Sequence, residues 1–350
     1  MPYLIFVLYD SITNSIFEGQ IAQPLLQRKK INPTQKIIII SYEKNCLDPL
    51  LQEIANHHLA LTFIFLKKIP FITPTTFYPA IKKLHILLKL YPNYTLIARG
   101  PLAGYICLKA TAKTNCLDMI IQARGALKEE YCYATKNTKN FFIANLQKWR
   151  IQQFKNIESL VYKKQAFFNF PITIETVSNS LKDYLINFYN ADPQSIIIAN
   201  QDIPQKIKPE TILQWRKEVR MELALDNKIH VYCYNGSIKP WQCPQETIAY
   251  FKQQLKINNN NFLLVLTQDK HAFEHIMHKE NISSHHYSIL TVSHQNIYRY
   301  LAACDTGLIF REKTTMNWVS RPTKVLEYQA LGLSIVHNNT IALLHEQRDN

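Results

Sequence analysis

The chain has 350 residues, of which 47% are hydrophobic, and its formal net charge at pH 7 is +14. This length is enough for two domains, and this composition excludes a disordered chain. The apolar run at residues 4–8 is too short for a signal peptide, and the longest apolar stretch, near residues 59–66, is too short to cross a bilayer. We therefore expect a cytoplasmic protein, with a peripheral position on the inner face of a membrane as the alternative.

The positive charge is compatible with an anionic small ligand, an anionic membrane surface or nucleic acid. Nucleic acid is the least favoured partner, because the sequence has no aromatic-basic RNA-binding pattern, no Cys/His finger and no long basic run. The seven cysteines form no CxxC pair and are predicted to be reduced thiols, mostly small core residues. We expect no metal site, because the histidines at residues 57–58 and 285–286 form adjacent pairs whose rings do not share one face of a helix or strand.

Short apolar strands alternate with helices in the first half, which predicts an α/β domain with a doubly wound parallel sheet. The four consecutive isoleucines at residues 37–40 predict a strand covered on both faces. The predicted strands span residues 3–8, 36–41, 61–66, 95–98, 116–122, 172–177 and 195–199. The predicted helices span residues 21–30, 49–58, 77–91, 102–109, 141–166 and 178–190.

A linker is predicted at residues 201–209, which hold two prolines and no periodicity, so that the domains span residues 1–203 and 204–350. The second half alternates in the same way. Its predicted strands span residues 228–234, 261–267, 288–292, 305–310 and 333–336. Its predicted helices span residues 211–225, 245–255, 271–278 and 295–304, with one more that begins near residue 320.

The segment at residues 305–336 is predicted to form strand, polar loop, helix and strand. Ser320 and Pro322 are start signals for the helix, and Gly332 is its stop signal. Arg311 follows the first strand, and Lys324 lies in the first turn of the helix. Because α/β folds bind ligands at the carboxyl ends of their strands, and phosphates at helix N-termini, this segment predicts an anion site.

Three segments of the second half resemble the donor-binding domain of GT-B glycosyltransferases, a group that includes many family-4 enzymes. They are YCYNGSIKPWQ (residues 232–242), YLAACDTGLIFR (300–311) and SRPTKVLEYQALGLSIV (320–336). Upstream, residues 175–189 and 195–204 resemble the segment that closes the acceptor domain of that family. The resemblance implies two Rossmann-like doubly wound domains that face each other across a cleft.

The same resemblance implies a hexosyltransferase-type enzyme that moves a sugar from a UDP- or GDP-linked donor to a glycan or lipid-linked acceptor, without a metal or other cofactor. Glu327 matches the glutamate that accepts hydrogen bonds from the ribose hydroxyls. An alternative for Glu327 is an ion pair with Lys324 on an exposed helix face, worth only ~0.2–0.5 kcal/mol. Arg311 and Lys324 match basic positions near the diphosphate, and Thr323 offers a backbone N–H at the helix start.

Further donor contacts are implied for Gly236 and Ser237, which match the loop after the first strand of the donor domain. In the acceptor domain, Gly19 matches a glycine in the loop after the first strand, where the backbone approaches the donor closely. Arg99 and Arg124 each follow a strand of that domain, and either acceptor contacts or structural ion pairs explain them.

The sequence departs from the family pattern at several positions. Val319 stands where many relatives have a second glutamate, and Ser237 and Gln242 stand where many have Arg and Lys; Lys239 and Arg311 are expected to compensate. The sugar contact and the stereochemistry therefore stay open. Relatives usually continue with further helices beyond the position of Val336, so the C-terminal domain is expected to be short. Only candidates for the catalytic base are available, namely Asp10, Glu18 and Glu130.

Two other functions stay open from the sequence. One is a GT-B sugar-nucleotide epimerase, which needs acid/base carboxylates in its cleft, and the other is a decayed transferase that binds anionic ligands without catalysis. The helix at residues 77–91 is a candidate membrane-facing surface, because lysines accompany its leucines. The alternative is an ordinary helix with one face in the core. The candidate residues are Lys82, Lys83, Leu87, Leu88, Lys89 and Leu90.

Overall fold

Two parallel β-sheets organise the chain, one in each of two units, Met1–Asp202 and Ile203–Asn350. The computed structural model describes residues 2–14, 16–138, 140–163, 168–200, 207–293 and 296–346. The predicted domain boundary, between residues 203 and 204, and the predicted linker as far as residue 206 lie outside the described residues. The predicted alternation of strands and helices is confirmed in both units.

The first unit has a seven-stranded sheet with the order β3-β2-β1-β4-β5-β6-β7, and its neighbouring strands are parallel. The strands are β1 (Tyr3–Leu8), β2 (Ile37–Glu43), β3 (Thr62–Lys67), β4 (Tyr94–Arg99), β5 (Cys116–Ala123), β6 (Ile172–Thr176) and β7 (Ile196–Ile198). The helices are α1 (Gln23–Ile31), α2 (Pro49–His57), α3 (Tyr78–Leu88), α4 (Gly100–Ala110), α5 (Leu127–Thr135), α6 (Phe141–Tyr162) and α7 (Asn179–Tyr189). A π-helical turn at Glu18–Ala22 precedes α1.

The isoleucine-rich strand β2 shows why this sheet is parallel and buried. All seven of its residues are buried, and it pairs with β1 on one side and β3 on the other. Helices cover both faces of such a sheet, so its strands need no alternation of polar and apolar residues. The prediction of a doubly covered strand is confirmed.

The second unit has a five-stranded parallel sheet with the order β10-β9-β8-β11-β12. The strands are β8 (His230–Asn235), β9 (Asn261–Leu266), β10 (Tyr287–Leu290), β11 (Thr306–Ile309) and β12 (Ser334–His337). The helices are α8 (Pro209–Glu222), α9 (Pro244–Ile257), α10 (Lys270–Lys279), α11 (Ile297–Leu301), α12 (Thr315–Trp318), α13 (Thr323–Ala330) and α14 (Leu343–Glu346).

Asp305, at the amino end of β11, fastens α8 to the sheet. Its carboxylate accepts hydrogen bonds from Arg216, from Arg220 at 2.8 Å and from the backbone N–H of Val231 at 2.8 Å. Although burial alone would raise the pKa of Asp305, the Val231 N–H and the two guanidinium groups lower it. A half-buried carboxylate that is paired in this way holds the helix and two strands together.

Two predictions about residues 305–336 were wrong. The predicted loop contains α12, which begins where Thr314 Oγ1 accepts a hydrogen bond from the Asn317 N–H at 3.2 Å. Ser320 does not cap α13, because its hydroxyl donates to the Asn317 carbonyl at 2.8 Å and Pro322 occupies the cap position. The predicted stop at Gly332 is confirmed, since this residue has φ +72°.

The sequence analysis missed α5, whose first turn depends on a residue from another helix. The Glu158 carboxylate, fully buried on α6, accepts hydrogen bonds from the backbone N–H groups of Leu127 at 2.8 Å and Lys128 at 3.1 Å. It also accepts one from the Tyr189 hydroxyl at 2.8 Å. Glu158 therefore supplies from a distance the cap that the local sequence of α5 lacks.

The cysteines are free thiols, and five of the seven are buried, which confirms their prediction as reduced core residues. Within the described part of the chain, no helix is both long and apolar enough to cross a membrane. The same residues contain no group of three or more His, Cys, Asp and Glu side chains that is placed to hold a metal ion.

We predict that Glu158→Ala lowers the free energy of unfolding of the first unit by about 3 kcal/mol, because three buried donors lose their acceptor. Urea denaturation followed by circular dichroism measures this loss. Glu158→Gln is the matched control, because it keeps one acceptor oxygen and is expected to lose about 1 kcal/mol. Equal stabilities of the wild type and Glu158→Ala would contradict this role.

Burial raises the pKa of Glu158 to about 7 from the ordinary 4.5, although its three hydrogen bonds lower it in part. The folded state therefore holds a proton between pH 4.5 and 7 that the unfolded state has released, so this residue makes stability fall as pH rises through that window. Glu158→Gln is expected to show a flatter dependence of stability on pH in the same window.

Candidate functional site

Each sheet has one point at which the strand order reverses, between β1 and β4 in the first unit and between β8 and β11 in the second. The connections that follow the two strands at such a point run to opposite sides and leave a crevice at the carboxyl edge of the sheet. The predicted site residues of the second unit, apart from the exposed Lys239, cluster at the edge formed by β8, β11 and the start of α13.

Gly307 allows α13 to lie close against β11. A Cβ atom at this position would be 2.2 Å from Cδ2 of Tyr328, so the Tyr328 ring occupies the space of the missing side chain. The Tyr328 hydroxyl accepts a hydrogen bond from the Asn235 N–H at 3.2 Å, at the end of β8. This packing brings the first turns of α13 to the carboxyl ends of β8 and β11.

Glu327 is held by the same contact. It is 8% exposed, and its Oε2 accepts a hydrogen bond from Asn235 Nδ2 at 2.8 Å. Burial excludes the alternative of an ion pair on an exposed helix face. The Asn235 amide orients the carboxylate, which lies close enough to Lys324 for the two charges to attract each other.

Lys324 lies against the loop that follows β8. Its Nζ donates to Gln242 Oε1 at 2.6 Å, and Gln242 Nε2 donates to Ser237 Oγ at 2.8 Å. A Cβ atom on Gly236 would be 2.3 Å from the same Nζ, so a larger residue would displace the ammonium group from this position. Burial and the positive charge of Arg311 hold the pKa of Lys324 well below its usual range.

Arg311 is 9% exposed and lies two residues beyond the end of β11. Its backbone is fixed by Asn338, which accepts from the Arg311 N–H at 3.1 Å and donates to the Arg311 carbonyl at 2.7 Å. Burial lowers the pKa of Arg311, whereas Tyr234 and Tyr328 raise it in part. Two partly desolvated cations and one carboxylate leave an excess of positive charge, which suits an anionic ligand.

Thr323 and Lys239 were also predicted to lie at this edge, and their positions differ from each other. Thr323 is the first residue of α13, while Lys239 is exposed with its ammonium group 5.0 Å from the centre of the Trp241 ring. A cavity of about 170 Å³ adjoins the Gly236 loop. Its lining is formed by Asn235, Gly236, Ser237, Leu266, Thr267, Gln268, Val292 and Ile297.

Asn235, Tyr328 and the link from Gln242 to Lys324 were not predicted from the sequence. A signal for Tyr328 was present, because Gly307 is a lone glycine inside an apolar strand, and such a glycine often marks a close approach by another group. No comparable signal predicts the Gln242 contact, since Gln242 and Lys324 are distant in the sequence and only the fold brings them together.

In the first unit, Arg99 and Arg124 belong to a polar network across the carboxyl ends of β4, β5 and β6. Arg99 is buried and donates to Gln20 and to Gln122 at 3.5 Å. Arg124 pairs with the buried Glu175 at 3.4 Å, and Gln122 donates to the same carboxylate at 2.8 Å. Both arginines therefore have structural partners.

These two arginines also line a pocket of about 240 Å³ together with Tyr9, Asp10 and Glu130. The residue Glu130 keeps exposed surface, but its Oε1 lies against Gly125, 2.3 Å from where a Cβ would stand. Desolvation of the carboxyl group in the pocket raises the pKa of Glu130 to about 7, and the negative charge of Asp10 contributes a smaller part of this increase. A carboxylate with this pKa exchanges a proton readily near neutral pH.

The remaining two predicted residues of this unit lie together in the π-helical turn Glu18–Ala22. Gly19 is therefore part of a helical turn and not of the open loop that was predicted. Glu18 pairs with His58 at 3.0 Å and accepts from Gln23 at 2.8 Å. Of the three candidates for the catalytic base, Asp10 and Glu130 line the pocket described above.

No protein-family model matches the sequence, and no curated protein matches it. Several solved structures, however, match its fold. A glycosyltransferase from Rickettsia africae superposes with a TM-score of 0.64 at 14% identity, over 97% of this chain and 79% of that one. Sucrose-phosphate synthase from Thermosynechococcus elongatus gives 0.66 at 12% identity, over 99% and 83%. WaaG, a glycosyltransferase involved in lipopolysaccharide biosynthesis, gives 0.61 at 13% identity, over 99% and 84%.

The chain has the fold of the GT-B glycosyltransferases. A putative UDP-N-acetylglucosamine 2-epimerase from Listeria monocytogenes superposes less well, with a TM-score of 0.51 at 8% identity, over 95% of this chain and 78% of that one. The GT-B fold is therefore common to transferases and epimerases, and the chemistry has to be argued from the site. In this chain the two sites lie at the carboxyl edges of the two sheets.

We predict that two glycine substitutions at this edge lower the stability of the second unit by different amounts. Gly307→Ala is expected to lower the free energy of unfolding of the second unit by about 2 kcal/mol or more, because the ring of Tyr328 has to move. Gly236→Ala meets the flexible ends of the Lys324 and Gln242 side chains and, at 3.2 Å, the Tyr234 hydroxyl, so its stability loss is expected to stay below about 1 kcal/mol. Urea denaturation measures both, and equal losses would contradict the packing described.

Proposed function

We propose that this protein is a glycosyltransferase that transfers a sugar from a UDP- or GDP-linked donor to a glycan or lipid-linked acceptor. The observation that supports this most is the convergence of Arg311, Lys324 and Glu327 at the carboxyl edge of β8 and β11. A nucleoside diphosphate matches these groups, because it offers ribose hydroxyls to the carboxylate and an anion to the two cations.

The proposed binding mode follows from the position of each group. Glu327 accepts hydrogen bonds from the ribose hydroxyls, in the orientation that Asn235 imposes. The diphosphate lies at the start of α13, where the backbone N–H groups of Thr323 and Lys324 add to the helix dipole. Lys324 and Arg311 then stabilise the negative charge that develops on the leaving diphosphate, so we expect no metal requirement.

The acceptor is proposed to bind the pocket of the first unit, where Glu130 removes the proton of the attacking hydroxyl. Its raised pKa matches a general base that works near neutral pH. Asp10 assists by keeping that pKa high. A lipid-linked acceptor would place the enzyme at an anionic membrane surface, consistent with its net charge of +14.

Titration calorimetry with UDP and GDP tests the donor site. We predict that Glu327→Ala and Lys324→Met each weaken binding of the preferred nucleotide by about tenfold or more, because each removes a charge-assisted contact. Lys228→Met is the matched control, since this lysine is exposed just before the amino end of β8, away from the carboxyl edge, and the variant is expected to bind almost as the wild type does. EDTA is expected to leave the affinity unchanged. Failure of the wild type to bind either nucleotide would reject the proposal, including its decayed-transferase variant.

The pH dependence of the same measurement has a predicted sign. Because the pKa of Lys324 is lowered, part of its charge is lost at a lower pH than for an ordinary lysine, so nucleotide affinity is expected to fall as pH rises. Binding of the anion restores the proton, which appears as proton uptake when two buffers of different ionisation enthalpy are compared. Lys324→Met is expected to abolish the uptake.

Glu130→Gln is predicted to lower kcat by about a hundredfold or more while nucleotide affinity stays unchanged, because a general base acts only on the chemical step. Asp10→Asn is expected to move the rising limb of the pH–rate profile below pH 7, since it removes the negative charge that raises the pKa of Glu130. A profile that does not shift would contradict the proposed role of Asp10.

An epimerase is the second candidate, and the specific observation in its favour is that Asp10 and Glu130 line one pocket. Two carboxyl groups in one pocket suit proton removal and return at one carbon. NMR of a UDP-sugar incubated without acceptor distinguishes the two candidates. Inversion of a sugar carbon favours the epimerase, and a stable donor that reacts only with an acceptor favours the transferase.

A further inference from the structure

Helix α6 begins with large hydrophobic side chains that are exposed to solvent. Phe142 is 82% exposed and Phe141 is 73% exposed. The full set is Phe141, Phe142, Ile143, Leu146 and Trp149, which we call the α6 apolar surface. Single exposed hydrophobic residues need no explanation, but a contiguous group that includes three aromatic rings marks an interaction site.

The geometry of the helix places three members of this surface on one side. Phe142, Leu146 and Trp149 follow the spacing i, i+4, i+7 and therefore share one face. Asn140 fixes the beginning of the helix, because its Oδ1 accepts from the N–H groups of Phe142 at 3.0 Å and Ile143 at 3.2 Å. The aromatic residues thus belong to an ordered, capped helical turn.

The rest of α6 is anchored in the first unit. Phe154, Ile157 and Val161 are buried, and Arg150 donates to the Phe71 carbonyl at 3.3 Å while its guanidinium lies 5.6 Å from the Tyr131 ring. The second half of the helix therefore holds the first half in a fixed position. Exposure of the apolar surface is a property of the folded protein and does not arise from a loose end.

The charged residues near this surface indicate the chemical class of its binding partner. Residues 131–157 contain no Asp or Glu, and their basic residues are Lys136, Lys139, Lys148, Arg150 and Lys155. Lys148 and Lys155 are exposed on α6 itself. A helix with an exposed apolar face and exposed lysines on the adjoining face suits the interface of an anionic bilayer, where rings enter the headgroup region and ammonium groups meet lipid phosphates.

The helix that the sequence suggested for this role is less suitable. In α3, Leu84 and Leu88 are buried, so Leu88 belongs to the core and not to a membrane-facing surface. Lys82, Lys83 and Lys89 are exposed, and so are Tyr78 and Ile86 in the helix and Leu90 just after it. These exposed hydrophobic residues include one aromatic ring, against three in the α6 apolar surface.

We propose that the α6 apolar surface, together with Lys148 and Lys155, inserts into the headgroup region of an anionic bilayer and holds the protein there. The inference deepens the proposed function, because it names the surface that keeps the enzyme beside a lipid-linked acceptor. Its measurement does not depend on that function, since vesicle binding and nucleotide binding are measured separately.

The test is sedimentation of the full chain with phosphatidylglycerol/phosphatidylcholine vesicles and with phosphatidylcholine vesicles. We expect the wild type to bind the anionic vesicles. The double variant Phe142→Ser/Trp149→Ser is expected to bind them with an affinity lower by about tenfold or more, because two inserted rings are lost. Lys148→Gln and Lys155→Gln are each expected to weaken binding about fivefold. Leu47→Ser/Leu59→Ser is the matched control, since these residues are 88% and 87% exposed elsewhere on the same unit.

Trp149 supplies a second readout. Its fluorescence is expected to shift to the blue with anionic vesicles, and Trp149→Phe, which keeps an aromatic ring, is expected to bind but to lose the shift. Equal binding by the wild type and the double Ser variant would overturn the proposal. Failure of the wild type to bind anionic vesicles would also overturn it. If the double variant then abolishes a self-association of the wild type, the surface joins two copies of the chain. Circular dichroism on each variant shows that it is folded.

Discussion

The contact between Tyr328 and Gly307 determines where the residues of the second site lie. A strand with a side chain at Gly307 would hold α13 farther from the sheet, because the Tyr328 ring fills that volume. With the ring in place, its hydroxyl meets the backbone at the end of β8, and Glu327 meets Asn235. One missing side chain thus determines the position of a whole helix, and the helix determines the position of the charged groups.

The two ends of β11 show how the same kinds of charge serve different purposes. At the amino end, Asp305 has two arginines and a backbone N–H as partners, and this arrangement fastens α8 to the sheet. At the carboxyl end, Arg311 and Lys324 share a partly desolvated region in which Lys324 bonds to a neutral amide, that of Gln242. Charges that are fully compensated stabilise a fold, whereas an uncompensated excess is suited to a ligand of opposite sign.

Burial of carboxylates has two outcomes in the first unit. Glu158 is enclosed by α5, α6 and α7 and uses its oxygens as a cap, so its raised pKa costs stability as pH rises. Glu130 has a similarly raised pKa, but it lines a pocket and keeps exposed surface. The same physical effect, desolvation of a carboxylate, is structural in one case and suited to proton transfer in the other.

The sequence by itself determined the alternation of strands and helices, the parallel sheets and the positions of Arg311, Lys324 and Glu327, because these depend on local apolar runs and nearby start and stop signals. It did not determine α5, since that helix is capped by Glu158 from α6, or the cap of α13, where Ser320 bonds backward to Asn317. Only the tertiary structure decided that Gln242 meets Lys324, that Leu88 is buried and that the aromatic residues of α6 are exposed. Such contacts join residues far apart in the chain, so no local pattern specifies them.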